Sequence, residues 1–227
     1  MAESERKEIV EVFDAIAEEF SRSRRRAWKS LEDAGPFEGE FVLDLGAGGG
    51  RNSRFLAERG AAFVVAADIS SEMLKVLMSN LKGGYRSLVQ PVRCDALYLP
   101  FSPSAFDKVI FVATIHHIPG SLARLRAMQE VKRVLKQNGS VLVTAWALIQ
   151  LRFLRHLPAM INNWLKGREF GDLYIPWGKM KRFYHLFTVR GLSALVKDAG
   201  FCVKKAYGEK VSSRIFAENC VVLARKV

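Results

Sequence analysis

Cysteine, long apolar runs and, in the second half of the chain, acidic residues are all scarce, and each shortage closes a class of function. Only Cys94, Cys202 and Cys220 occur among 227 residues. An odd count without a close pair supports neither a disulfide framework nor a cysteine zinc site, and a reducing cytosol is the expected setting. The longest apolar runs, such as Val141 to Ile149 with one Thr, fall well short of the roughly 20 residues of a membrane span. No transmembrane segment and no membrane partner are expected. Glu3, Glu5 and Glu8 stand where an export signal would carry an apolar stretch behind basic residues. With 49% hydrophobic and 26% charged residues, the chain can build a core, and its length suits one domain rather than a disordered or collagen-like polymer.

The shortage of acids is regional. Residues 1–120 hold 15 Lys/Arg and 17 Asp/Glu, a net of −2, whereas residues 121–227 hold 20 and 6, a net of +14. One basic helix face is ordinarily just solvated surface. An imbalance of this size between halves creates a field that attracts a polyanion or an anionic membrane surface, and nucleic acid is the favoured partner on this ground.

Ile9, Val12, Phe13, Ile16, Ala17 and Phe20 recur at helical spacing and precede a basic run, Arg22, Arg24, Arg25 and Arg26. Beyond this N-terminal helical segment (1–36), strands are expected near 41–45, 62–67, 87–93, 106–113 and 139–146, with helices near 51–59, 71–81 and 121–136 between them. The alternation argues for a doubly wound, mainly parallel sheet over a core of 37–149. Between residues 150 and 188 it stops, in a stretch rich in Trp, Arg, Phe and Tyr that reads as an insertion or cap. A helix near 189–199 and runs at 201–207 and 218–225 then close the sheet as an antiparallel pair.

The run Phe41 to Leu45 leads directly into Gly46-Ala47-Gly48-Gly49-Gly50. The first strand-to-helix turn of a doubly wound sheet is where a nucleotide-like ligand lies, because glycine permits tight turning and close backbone approach. Dinucleotide binding wants G-x-G-x-x-G, but its last place is Arg51; the spacing here is G-x-G-x-G. Following an acid-bearing strand, it resembles the first motif of class I S-adenosylmethionine-dependent methyltransferases, with their Rossmann-like fold. Asp68 ends the second apolar run, where an acid either accepts both ribose hydroxyls or caps the next helix, a task open equally to Ser70. Asp95 follows the third strand, where a carboxylate can accept from the adenine amino group. After strand four, Val112-Ala113-Thr114-Ile115-His116-His117-Ile118 replaces the D/N-P-P-Y-like loop of base-amine methyltransferases. No cysteine stands in the Pro-Cys setting that covalent pyrimidine methylation uses.

The resemblance then narrows. Val12 to Ala17 with Phe20, Ser21 and Arg24, then Ile115-His116-His117, Trp146-Ala147-Leu148 with Gln150, Asp172 to Trp177, and Arg182-Phe183-Tyr184-His185-Leu186-Phe187 occur in that order. The string is similar to the tRNA wobble-uridine carboxymethyl methyltransferases, including the methyltransferase domain of the AlkB-homologue-eight type. It departs from them at Ala47, where a Cys is usual, and at Glu218-Asn219-Cys220, in place of an Asp-Asn-Trp-like ending.

The resemblance implies S-adenosylmethionine as cofactor, held by Asp44, Gly46, Ala47, Gly48, Asp68, Ile69, Met73, Asp95, Ala96 and Ala113. It also implies Arg24, paired with the methionine carboxylate of the cofactor or with the substrate carboxylate. His117, with His116, orients the substrate or is simply a packed helix-entry histidine. Trp146, Gln150, Trp177, Arg182, Tyr184, His185 and Asn219 are expected on the substrate side, with Trp177 a candidate for stacking on a splayed base. No metal is implied. The expected partners are the anticodon arm of a tRNA and a small zinc-ribbon activator at the sheet edge, where Pro91 interrupts the third strand. The I-H-H pattern also occurs in small-molecule methyltransferases acting on quinones and natural products, and a noncatalytic RNA-binding protein would keep the same fold.

Overall fold

Apolar residues that alternate within short runs, separated by stretches of helical period, fold as the pattern dictates. The computed structural model describes residues 3–23, 26–178, 180–211, 213 and 215–227. In chain order the elements are α1 (Glu3–Arg22), a 3₁₀ turn (Lys29–Ala34), β1 (Phe41–Leu45), α2 (Arg51–Glu58), β2 (Phe63–Asp68), α3 (Ser71–Asn80), α4 (Tyr85–Leu88) and β3 (Val89–Arg93). Then come β4 (Phe106–Val112), a 3₁₀ turn (Ile115–His117), α5 (Ser121–Val134), β5 (Leu135–Trp146), α6 (Leu151–Leu154), α7 (Leu157–Leu165), β6 (Asp172–Trp177), β7 (Met180–His185), α8 (Val189–Asp198), β8 (Phe201–Glu209) and β9 (Asn219–Lys226).

Seven strands form one sheet in the order β3-β2-β1-β4-β5-β9-β8. The pairs β1–β2, β2–β3, β1–β4 and β4–β5 are parallel, and β9 runs antiparallel to both β5 and β8. This is the Rossmann-like doubly wound sheet with an antiparallel closing strand. Burial on both faces explains why its central strands read as continuous apolar runs. Leu43, Val65, Val109 and Val141 pack on one face with Met128 and Val131 of α5 and Leu192 and Val196 of α8. Their neighbours Val42, Val64, Ile110 and Leu142 face the other way, onto Leu56 of α2 and Leu74 and Leu77 of α3. Strand order reverses between β1 and β4, and the crevice beyond their C-terminal ends is the natural ligand site of such sheets.

The stretch 150–188 is more ordered than its composition suggests. It folds as two short helices and a hairpin, β6–β7, in register from Asp172↔His185 to Trp177↔Met180. Phe153, Met160, Leu173, Tyr184 and Leu186 form a small core of its own. Asp172 Oδ1 lies 2.7 Å from His185 Nδ1 across the open end of the hairpin. Beneath it, the buried Arg124 of α5 donates to Glu169 Oε2 at 2.6 Å and to the Ile118 carbonyl at 3.0 Å. These contacts set the hairpin over the 3₁₀ turn that follows β4.

Candidate active site

The glycine turn is built by packing. Gly46 and Gly48 have φ of +76° and +52°, a region that L side chains rarely occupy. A Cβ on Gly46 would stand 2.0 Å from Thr114 Oγ1, so the turn closes only because nothing projects toward the tip of β4. Its backbone is tied to β2: Gly46 and Ala47 N–H donate to the Ala67 carbonyl at 2.8 and 3.0 Å, and Gly48 N–H donates to Asp68 Oδ2 at 2.8 Å. Asp68 Oδ1 accepts from Ser70 N–H at 2.9 Å. The cap of α3 is Ser70, whose hydroxyl accepts from Met73 N–H at 3.0 Å and donates to Asp14 of α1 at 2.6 Å. Asp68 thus braces the turn, and burial pushes its pKa up while these N–H groups oppose the shift.

A cavity opens beside the turn. Of the residues expected around a cofactor, Gly46, Gly48, Asp68, Ile69, Met73, Asp95, Ala96 and Ala113 line it together. Each Asp68 oxygen accepts one backbone N–H and retains lone-pair capacity for a ribose hydroxyl. Asp95 Oδ1 accepts from Leu97 N–H at 2.9 Å, which sets its carboxylate at the tip of β3. The acceptor set and the apolar walls of Ile69, Met73 and Leu97 fit the nucleoside of S-adenosylmethionine. Cys94 lines the same wall, and burial pushes its thiol up to about 12, which removes it as a nucleophile at neutral pH.

Two expected cofactor residues stand elsewhere. Asp44 is 1% exposed and accepts from Ser53 Oγ of α2 at 2.6 Å; it holds β1 to α2 beneath the turn and does not line the cavity. Burial raises its pKa to about 7. Ala47 packs into the apolar layer under α2 and α3. Arg24 lies outside the described residues.

What the sequence reading missed is α1 as a wall. Its Ile9, Phe13 and Phe20 line the cavity, with Thr114 and Ile118 from the far side. The amphipathic period of the helix was the available signal, since these three belong to its apolar stripe. Arg6 Nε reaches Asp95 Oδ2 at 2.8 Å, Asp14 holds Ser70, and Asn80 Nδ2 donates to Ser21 Oγ at 2.9 Å. Strapped down this way, α1 leaves a cavity of about 100 Å³, room for a few waters.

The histidine pair divides its duties. His117 lines the cofactor cavity and also a second, smaller one whose walls include Tyr174, Lys181, Arg182 and Phe183. Its Nδ1 lies 2.9 Å from the Phe183 carbonyl, which accepts and so requires the proton on Nδ1; Nε2 of the neutral ring is then an acceptor. His116 is 1% exposed and lines neither cavity. Its Nδ1 accepts from Trp146 N–H, its ring stacks on Tyr184 and Trp146, and burial holds its pKa far below the usual histidine value. It is a neutral packing residue, and the reason is desolvation.

The remaining expected substrate residues fall into two groups. Arg182 stacks on Trp177, its carbon 4.2 Å from the ring centroid, with Phe20 of α1 alongside. Tyr184, fully buried, stacks on Trp146 at 4.5 Å. By contrast, Gln150 donates to the Ala147 and Glu218 carbonyls, Asn219 donates to Glu209, and His185 pairs with Asp172. These three support the cap and strand ends and, like Trp146, Trp177 and Tyr184, line neither cavity; of the expected substrate residues only Arg182 does. Among the described residues, no cluster of His, Cys, Asp or Glu could hold a metal, and no helix is long and apolar enough to cross a membrane.

Two outcomes follow from this geometry. Gly46→Ala forces a Cβ into Thr114 at positive φ, and calorimetric binding of S-adenosylhomocysteine should drop at least tenfold; unchanged affinity would contradict the packing described. Asp44 binds a proton in the native chain between about pH 4 and 7 that the unfolded chain has released, so its contribution to stability falls as pH rises through that window. In denaturant titrations Asp44→Asn should remove a slope of about 1.4 kcal/mol per pH unit there.

Comparison with known proteins gives the same answer as the cavity. A methyltransferase-domain family model matches residues 43–143. A protein of Encephalitozoon cuniculi named as a methyltransferase is 33% identical over 84% of this chain and 85% of its own. The tRNA (carboxymethyluridine(34)-5-O)-methyltransferase of Schizosaccharomyces pombe is 28% identical over 87% and 90%, and the demethylmenaquinone methyltransferase of Thermobifida fusca is 33% identical over 75% and 71%. The chain spans only 22% and 35% of the tRNA (carboxymethyluridine(34)-5-O)-methyltransferases of Xenopus tropicalis and Arabidopsis thaliana that it also matches. Among solved structures, a Methanosarcina mazei S-adenosylmethionine-dependent methyltransferase superposes with a TM-score of 0.76 at 22% identity, covering 89% of this chain and 99% of that one. A Haloferax volcanii methyltransferase, solved in complex with the Trm112 activator, gives 0.68 at 16% identity over 96% of each. The chain belongs to the methyltransferase-domain family.

Proposed function

We propose that this chain methylates the side-chain carboxylate of 5-carboxymethyluridine, or of a closely related uridine, at the wobble position of tRNA. One observation carries the reading: His117 stands in the wall shared by the cofactor cavity and a second cavity on whose far side are Lys181 and Arg182. That second cavity is small, about 10 Å³, and its walls also carry Glu5 and Glu8 of α1; Lys181 and Arg182 are the cations it offers an acceptor carboxylate. The names of the Schizosaccharomyces, Xenopus and Arabidopsis relatives support the same acceptor.

S-adenosylmethionine supplies, when bound, a methyl group on a sulfonium and departs as a neutral thioether. A carboxylate with a reference pKa near 4 is already ionised at neutral pH, so no proton has to leave as its oxygen takes the methyl. The protein's tasks are alignment and exclusion of water. His117 is held by the Phe183 carbonyl and flanked by Phe13 at 4.9 Å and Tyr184 at 4.5 Å, which fixes its ring at the passage between the cavities. Arg182 is held against Trp177 and Tyr184, so its charge attracts the carboxylate toward the passage. The apolar face of α1 closes the passage against solvent.

A small-molecule acceptor is the second reading, favoured by the match to the demethylmenaquinone methyltransferase. A zinc-ribbon activator remains part of the proposal: β3 is one of the sheet's two edge strands, with Pro91 within it, and the Haloferax neighbour was solved with a methyltransferase activator.

Incubating tRNA that carries unesterified 5-carboxymethyluridine with the protein and labelled cofactor, with and without an activator, should yield the labelled methyl ester of 5-carboxymethyluridine by nucleoside mass spectrometry. Arg182→Ala should lower kcat/KM for tRNA at least tenfold while leaving S-adenosylhomocysteine affinity within twofold. Label appearing only in a quinol substrate would replace the tRNA reading with the second one.

A further inference from the structure

A second surface lies on the other side of the glycine turn. Gly48 faces the cofactor cavity, but Gly49 and Gly50 face outward into a cleft of about 530 Å³ lined by Arg22, Arg51, Arg54 and Lys82. Adjoining it is a cavity of about 680 Å³ that shares Arg22 and Arg51 and adds Arg26, Lys29 and Lys210. The two make one groove, running from the end of α3, past the C-terminal end of α1 and the start of α2, to the segment after β8. Seven cations face it against two acids. Of those acids, Glu18 pairs with Arg22 at 2.8 Å, and Glu209 is 7% exposed and accepts from Asn219.

We propose that this groove takes the sugar–phosphate backbone of the RNA whose modified base enters the active site; the inference rests on the tRNA reading above. Three features favour a chain of phosphates over a single small anion. The cations are spread along two joined cavities rather than converging on one point. Six of them, Arg22, Arg26, Lys29, Arg54, Lys82 and Lys210, are exposed, as suits contact with a solvated polyelectrolyte. Arg51 lies over the Trp28 ring at 5.3 Å and donates to the Arg26 carbonyl, which gives the middle of the groove a fixed, planar cation beside an aromatic face. The groove also begins where the active site ends: Phe20 lines the cofactor cavity, and Arg22, two residues on, lines the groove.

The test uses the full chain and a labelled anticodon stem-loop, with binding followed by fluorescence anisotropy at several salt concentrations. Arg22→Gln, Arg54→Gln and Lys82→Gln combined should weaken RNA binding at least tenfold and lower the slope of log affinity against log salt by about 2, at roughly 0.7 to 0.9 per lost phosphate contact. S-adenosylhomocysteine affinity should stay within twofold, which reports an intact fold and cofactor cavity. A charge-matched control, Arg190→Gln, Lys197→Gln and Lys204→Gln on α8 and β8, should bind RNA as the unaltered chain does. If the groove variant keeps its affinity and salt slope, or the control loses as much, the groove assignment is overturned and the tRNA reading stands. Salt-dependent binding that needs the groove, without methyl ester in the nucleosides, would leave the groove in place and overturn the acceptor assigned above.

Discussion

The carboxylate of Asp68, at the end of β2, is the contact on which the cofactor side depends. One oxygen takes the Gly48 N–H of the turn after β1, the other the Ser70 N–H at the start of α3. Ser70 in turn binds Asp14 of α1. Three elements far apart in sequence are thereby fixed around one acid, and the acid keeps lone pairs directed at the place where a ribose would lie. A charged group buried this way is costly unless hydrogen-bonded, so the two N–H donors and the ligand acceptor role are parts of the same arrangement. Without the glycine at position 46 the turn does not reach this carboxylate, because Thr114 occupies the space a side chain would need.

The helix α1 links cofactor access to substrate access. Its inner face closes the cofactor cavity through Ile9, Phe13 and Phe20, and the first two also border the second cavity, where Arg182 stands. The ion pair from Arg6 to Asp95 occupies the carboxylate suited to the adenine amino group.

Much of this was legible in the sequence. The periodicity located every strand of the main sheet to within a few residues, because both faces of a parallel sheet are buried and the apolar runs are unbroken. The G-x-G-x-G turn and the acids at 68 and 95 were legible for the same reason: strand ends are fixed by register, so a residue just past a run has a definite address. The cap was not. Residues 172–177 and 180–185 carry Pro176, Trp177, Lys181 and Arg182, a mixture without clean alternation, and they pair as a hairpin because their partners are each other and the 3₁₀ turn after β4. Among site residues, those on the sheet rim fell where expected, whereas Asp44 and His116 did not. A sequence shows that an acid or imidazole sits near a strand end, but which side of the chain it faces is decided by packing: Ser53 claims Asp44, and Tyr184 with Trp146 encloses His116.

Charge shows the same limit from the opposite direction. Summed along the chain, the positive excess belongs wholly to residues 121–227, yet the groove beside the glycine turn draws six of its seven cations from residues 22–82. The first half has more acids, but they are spent locally: Asp44 and Asp68 are bonded within the fold, Glu32 and Glu40 pair with Arg59 and Lys108, and Glu58 with Arg54. What a polyanion meets is the field at a surface rather than the sum over a segment. A half with a formal charge of −2 can therefore present a positive groove, because among the described residues Glu18 is the one acid of that half lining it against six cations, even with Arg22 and Arg54 paired to Glu18 and Glu58.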